Sequence, residues 1–173
     1  MHRMPSRGLK PDLARRHALL ATLSGAATLV TAACSRVATA PDLAFTLLDG
    51  SRSSFAALRG QVVLVRFWAT QCAPCVAAMP GLVALHRALQ PRGLQTLAVA
   101  MQYDPPAAVS QFAQDRGLPF GVVIDNTGAL ARGFGDVQAT PTTVLLDRAG
   151  RVRWQFEGKA DTTRLRAQLE ALL

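Results

Sequence analysis

Residues 62–75 read VVLVRFWATQCAPC. Val62–Trp68 is an apolar run broken only by Arg66, the pattern of a central strand buried on both faces. The run leads into a CxxC pair, Cys72 and Cys75, with Pro74 between them. A strand that passes into a helix with Pro74 in its first turn puts Cys72 at the helix N-terminus. Unsatisfied N–H groups and the helix dipole stabilise a thiolate there. Cys75, one turn further in, is expected to be less exposed. The thiolate is the nucleophile of disulfide exchange, so Cys72 attacks and Cys75 resolves the mixed disulfide.

Other uses of the pair fit poorly. A structural zinc site needs four ligands. Beyond Cys34, the only further candidate after the amino-terminal segment is His86, and one pair with a distant histidine cannot close a tetrahedron. His86 itself is expected on a helix, partly exposed. A structural disulfide enclosing two residues removes little chain entropy. A CxxC beside a βαβ pattern is a strong signal for redox chemistry, with the disulfide itself as the only redox group and no cofactor.

With 173 residues, 50% of them hydrophobic, the chain suits one domain with a proper core. The net charge is +8. Residues 1–33 hold five basic side chains and one acid, so the remainder has 14 against 10 and stands near +4. No Lys/Arg run or interleaved aromatic stripe is present, so no nucleic-acid partner is expected.

Residues 1–17 are basic, and Ala18–Ala33 then runs ALLATLSGAATLVTAA without a charge. This is the layout of an export signal, and the apolar part is short for a spanning helix, which needs about 20 apolar residues. An uncleaved anchor is the alternative. Arg15-Arg16 ahead of the apolar run resembles a twin-arginine signal. The sequence TAAC, ending at Cys34, resembles a lipoprotein lipobox, with Thr31 where that motif usually has Leu. A cut after Ala40 is disfavoured by Pro41. The expected organisation is an export signal over 1–33, a tether over 34–41 carrying lipid on Cys34, and one domain over 42–173.

Along that domain, Phe45–Leu48 reads as a strand ended by Asp49-Gly50, and Phe55–Leu58 as a single helical turn. A helix spans Pro74–Leu89, with Leu82, Leu85 and Leu89 in one stripe and Pro80 expected to kink it. Leu94–Met101 is a second central strand. Asp104 is expected to cap a helix over Ala107–Arg116. Strands at Val122–Asp125, Thr142–Asp147 and Val152–Phe156, a short helix at Gly128–Phe134 and an amphipathic helix at Asp161–Leu173 complete the order. The pattern implies a central mixed sheet flanked by helices, an α/β domain with an amino-terminal β extension.

VVLVRFWATQCAPC, Met79-Pro80, TPTTVLLDRAGRV at 140–152 and the entry APDLAFTLLDG together resemble the TlpA/ResA branch of the thioredoxin superfamily. The resemblance covers about residues 40–173. It implies a thioredoxin-like fold and thiol–disulfide exchange outside the cytoplasm. Protein thiols or disulfides would be the substrates, cytochrome c maturation proteins or other periplasmic clients among them, with a membrane electron donor. It also implies a cis bond at Thr140-Pro141, facing the cysteines, with the Thr140 backbone pairing to extended substrate. Trp68 matches the family's active-site tryptophan and equally suits core filling. Pro74 matches the CxPC pattern.

Two other classes fit the sequence less well. A peroxiredoxin-like thiol peroxidase resembles P-x-x-x-T-x-x-C, whereas Thr70 lies two residues before Cys72 without a suitable proline. A copper chaperone wants cysteines with three residues between them and a distal histidine, whereas CAPC has two between them and no histidine follows His86. The direction of electron flow stays open, with reduction the expected sense, because CxxC proteins span roughly −120 to −270 mV. Three positions depart from the family. Arg66 stands where thioredoxins resemble one another in a buried Asp, Ala78 where the ResA-like pattern has Glu, and Gln71 where Trp is usual. Arg66 either leans out to solvent or lies near the pair, where a cation favours thiolate.

Overall fold

The structure is a computed structural model that describes residues 38–173; the expected export segment and Cys34 lie outside them. In chain order the elements are β1 (Ala44–Thr46), β2 (Arg52–Ser54), β3 (Val62–Trp68), α1 (Ala73–Leu89) and β4 (Leu94–Ala100). They continue with α2 (Pro106–Asp115), β5 (Gly121–Ile124), α3 (Ala129–Gly133), β6 (Thr142–Leu146), β7 (Val152–Glu157) and α4 (Thr162–Glu170).

All seven residues of β3 are buried, Arg66 among its apolar neighbours included. It pairs parallel with β4 and antiparallel with β6, at the centre of a sheet ordered β5-β4-β3-β6-β7. Successive side chains of β3 serve opposite faces. Val62, Leu64 and Trp68 pack with Leu82, Leu85 and Leu89 of α1 and Leu165 and Leu169 of α4. Val63, Val65 and Phe67 pack with Phe45, Phe55, Leu130 and Phe134. Arg66 shares the parity of Leu64 and Trp68, which puts it on the α1 side.

The amino-terminal extension covers the second face. β1 and β2 form an antiparallel hairpin, and Phe45 meets Phe55 at 5.3 Å between ring centroids. Phe55 in turn lies edge-on to Phe134 at 5.0 Å. Each buried aromatic of this kind contributes about 1.5–3 kcal/mol. The extension also reaches both edges of the sheet. Thr39 bridges to Arg151 beside β7, and Leu47 to Val123 in β5. Ala40 N–H donates to the Gly150 carbonyl at 2.8 Å, so Ala38–Pro41, within the stretch read as tether, is bonded to the domain.

Several local expectations change. β2 carries Arg-Ser-Ser, with no apolar alternation to announce a strand. Phe55–Leu58 is a run of turns with Phe55 buried rather than a helical turn. α1 starts at Ala73, one residue earlier than expected, and contains Pro80. α4 starts where expected, with Asp161 accepting from the Arg164 N–H at 2.8 Å. His86 is buried, not partly exposed. Its Nδ1 lies 3.1 Å from the Thr96 hydroxyl and its ring stands edge-on to Phe120. Burial pulls its pKa below the ordinary histidine value, against an opposing hydrogen bond to the Pro119 backbone.

Candidate active site

Cys72 is the N-cap of α1, with φ −84° and ψ 94°, and Pro74 occupies the first turn. The Cys72 carbonyl accepts from the Val76 N–H at 3.0 Å, and its Sγ lies 3.3 Å from the Cys75 N–H. The helix therefore begins on the cysteine and turns the Cys75 N–H, at the positive end of its dipole, toward the sulfur. Cys72 is half-buried and Cys75 is 2% exposed. The two sulfurs are bonded, with the Cα atoms 5.2 Å apart. One sulfur can be reached from outside; the other sits one turn deeper.

The register of β3 gathers the rest of the site at its C-terminal end. Phe67 pairs with Thr142, so the preceding Thr140-Pro141, a cis peptide, lies beside the end of β3. Trp68 pairs with Ala100, so the loop after β4 leaves from the same place. That loop presents Tyr103, which is 55% exposed and whose hydroxyl lies 3.4 Å from the Thr140 hydroxyl. Trp68 is fully buried, 5.0 Å from the Phe112 ring, so it fills the core beneath the pair. Its indole N–H has no hydrogen-bond partner among the described residues.

Two charged groups lie close to the pair, and one of them sits differently from expectation. Asp104 does not cap α2. That helix begins at Pro106 with Pro105 at the cap, and Pro106 has no N–H to offer a capping carboxylate. Asp104 turns back instead and accepts from the Thr70 N–H at 2.6 Å and the Thr70 hydroxyl at 2.5 Å. It is 2% exposed and ties the turn before Cys72 to the loop before α2. No local pattern announces this contact, because its partners are 34 residues apart. Arg66 does not lean out to solvent. It is 6% exposed and donates to the Thr143 hydroxyl on β6. Burial draws its pKa below the usual arginine value. A cavity of about 10 Å³ is lined by Arg66, Trp68, Ala78 and Cys75, along with Met79 and Leu82, so the cation shares space with the inner cysteine.

A sequence profile described as Redoxin matches residues 37–173. The chain is 34% identical over 134 residues to the thiol-disulfide oxidoreductase ResA of Geobacillus thermodenitrificans, covering 78% of this chain and 76% of that protein. The chain belongs to the redoxin family, among its ResA-like thiol–disulfide oxidoreductases. ResA of Geobacillus kaustophilus is 33% identical over the same share of each chain. Among solved structures, a protein described as the thiol:disulfide interchange protein DsbE, from Chlorobium tepidum, superposes with a TM-score of 0.72. It is 30% identical, with 78% of this chain and 95% of that one covered. A protein from Neisseria meningitidis described as a thioredoxin gives a TM-score of 0.73 at 33% identity, covering 78% and 90%. The fold of this ResA-like chain is thus thioredoxin-like, and Cys72 and Cys75 are the redox pair of a protein-disulfide oxidoreductase. Among the described residues, no group of three or more His, Cys, Asp or Glu could hold a metal ion.

The Asp104–Thr70 contact makes the site's geometry testable. Asp104→Ala removes two short, charge-assisted hydrogen bonds and leaves Thr70 unpaired, at a cost of about 2–3 kcal/mol. Urea unfolding should show that loss, and insulin reduction should slow by about tenfold as the turn before Cys72 loosens. A variant with parental stability and rate would make the contact incidental.

Proposed function

We propose that the protein is a membrane-anchored thiol:disulfide oxidoreductase facing the periplasm, with Cys72 as nucleophile and Cys75 as resolving cysteine. The observation that carries the assignment of roles is the half-buried Cys72 at the N-cap of α1, with buried Cys75 one turn behind it. In the reductive direction the Cys72 thiolate attacks one sulfur of a substrate disulfide. A mixed disulfide forms and the substrate's other sulfur leaves as thiolate. The Cys75 thiolate then attacks Cys72 Sγ, closing the Cys72–Cys75 disulfide and releasing the second substrate sulfur. Two electrons pass to the substrate, and a membrane electron donor restores the dithiol. The oxidative direction runs the same steps backwards.

The substrates are protein thiols and disulfides. An extended substrate segment pairs with the Thr140 backbone beside Pro141, a form of β-augmentation, and Tyr103 offers it an exposed aromatic edge. Trp68 packs beneath the pair and keeps α1 in place. Arg66 favours the thiolate of the inner cysteine across their shared cavity, which stabilises the reduced form and makes the couple more oxidising. Export rests on Arg15-Arg16 and the apolar run behind them. Anchoring rests on lipid at Cys34 or on the uncleaved segment. Among the described residues no helix is long and apolar enough to cross a membrane. Each buried lipid CH₂ adds about 0.8 kcal/mol, so multiple acylation holds a protein stably.

Three measurements test these roles. Cys72→Ser should abolish insulin reduction, whereas Cys75→Ser should trap a mixed disulfide through Cys72; an adduct trapped on Cys75 reverses the assignment. Arg66→Asn should raise the inner thiol's pKa, followed by thiolate absorbance. It should also make the potential more negative by about 30 mV, a tenfold change in the exchange equilibrium. Unchanged values would remove Arg66 from the chemistry. Mass spectrometry of the cell-derived protein should find an acylated amino terminus at Cys34, or the intact segment; a soluble, unacylated product starting near Asp42 excludes both anchors.

A further inference from the structure

Arg66 faces a second space besides the small cavity it shares with Cys75. A cleft of about 260 Å³ opens between α1 and the start of α4, lined by Arg66, Ala78, Gly81, Lys159, Thr162 and Leu165 among others. Arg66 is buried, with only 6% of the residue exposed. Its recorded partner is the neutral hydroxyl of Thr143, and no carboxylate among the described residues lies within ion-pair distance of it. An arginine keeps its charge, and a charge taken out of water is costly unless an opposite charge meets it. Five N–H donors sit in its planar fork, of which the structure uses one toward Thr143. A buried cation with spare donors lines an open cleft, and Lys159 stands exposed at the same cleft. Neither is opposed by an acid among the cleft's lining residues.

We propose that this cleft binds a carboxylate carried on a short aliphatic chain. The planar head matches the guanidinium fork, which pairs with carboxylates in two parallel hydrogen bonds. Lys159 adds a second charge and Thr162 a hydroxyl. The remaining walls are apolar, with Leu82, Leu85 and Leu165 set against the small Ala78 and Gly81. A phosphate dianion would leave oxygens against those walls without donors, whereas an alkyl chain is accommodated there. The volume lies below the range that encloses a drug-sized molecule, so the occupant is small. The same chemistry is offered by a free short-chain acid and by a glutamate side chain of a docked protein.

Binding is measured in the oxidised protein, where no thiolate exists, so the outcome is independent of the role given to Arg66 in exchange. Hexanoate and N-acetyl-glutamic acid amide, titrated separately by calorimetry and by amide chemical shifts, distinguish the free acid from the protein side chain. Saturable binding of either, with shifts on α1 and the start of α4, is the expected result, and hexanol should not bind. Arg66→Gln should weaken binding by about tenfold or more, as the loss of a bidentate charged pair requires. Because that variant removes a buried group, Gly81→Leu provides a second arm. Gly81 lines the cleft and an added Cβ there meets nothing within 4 Å, so a larger side chain is accommodated without a clash at its Cβ and should narrow the cleft and abolish binding. No saturation with either probe overturns the proposal, as does equal binding by the parent and Gly81→Leu.

Discussion

β3 is hydrogen-bonded on both sides, and everything chemical in the molecule depends on where its C-terminal end falls. Because β4 runs parallel to it, the loop after β4 emerges beside Trp68. Because β6 runs antiparallel, the residues before β6 arrive at the same edge. The chain leaving β3 itself enters α1 through Cys72. Three loops from distant parts of the sequence therefore meet without any long-range recognition beyond strand pairing. Open α/β sheets bind at such C-terminal crevices for this reason. The Asp104–Thr70 hydrogen bonds then hold two of the three loops in register.

The two faces of the sheet are stabilised by different parts of the chain. One is covered by α1 and α4 and holds the redox pair. The other is covered by α3 and the amino-terminal hairpin, whose aromatic contacts run from Phe45 through Phe55 and Phe134 to Phe67. The extension thus supports the strand that carries the cysteines from the side opposite to them. Its Leu48 N–H donates to the Val122 carbonyl of β5 and its Ala38 carbonyl accepts from Val152 of β7, so it meets both edge strands, which otherwise present unpaired backbone groups.

The central architecture was legible because its signals are local and redundant. A seven-residue stretch apolar at every position but Arg66, a proline in the first turn and a stripe of leucines each declare their element independently. The roles proposed for the two cysteines rest on helix geometry. What escaped were contacts whose sense lies in tertiary pairing. β2 is a strand only because β1 lies beside it, since Arg52-Ser53-Ser54 has no apolar alternation. His86 looks like a surface residue in sequence, yet its position beside the Leu85 and Leu89 stripe carries it to Thr96 and Phe120. Asp104 resembles a helix cap, and only the absent N–H of Pro106 hints that its carboxylate must look elsewhere. Arg66 could be read as exposed or buried; the parity of β3 settles its direction, but that parity has meaning only once α1 is known to cover that face.

The charge under the redox pair has a consequence for how the inner cysteine loses its proton. A buried carboxylate near such a thiol can take the proton, because acid and thiol can exchange it through a short path. Here Ala78 on α1 offers no carboxylate and Arg66 on β3 is a cation that cannot accept one. In the proposed exchange, the inner cysteine is therefore helped by field rather than by a base. The cation lowers the cost of the thiolate, while the proton leaves toward solvent or the departing substrate sulfur. Such a device acts on the equilibrium as well as the rate, since whatever stabilises the thiolate stabilises the dithiol form. A base that returns its proton after each turnover does not shift the balance in that way. Under that proposal, an arginine and an alanine in place of acids would tie the speed of resolution to the potential of the couple, two properties that an acid-assisted site can set separately.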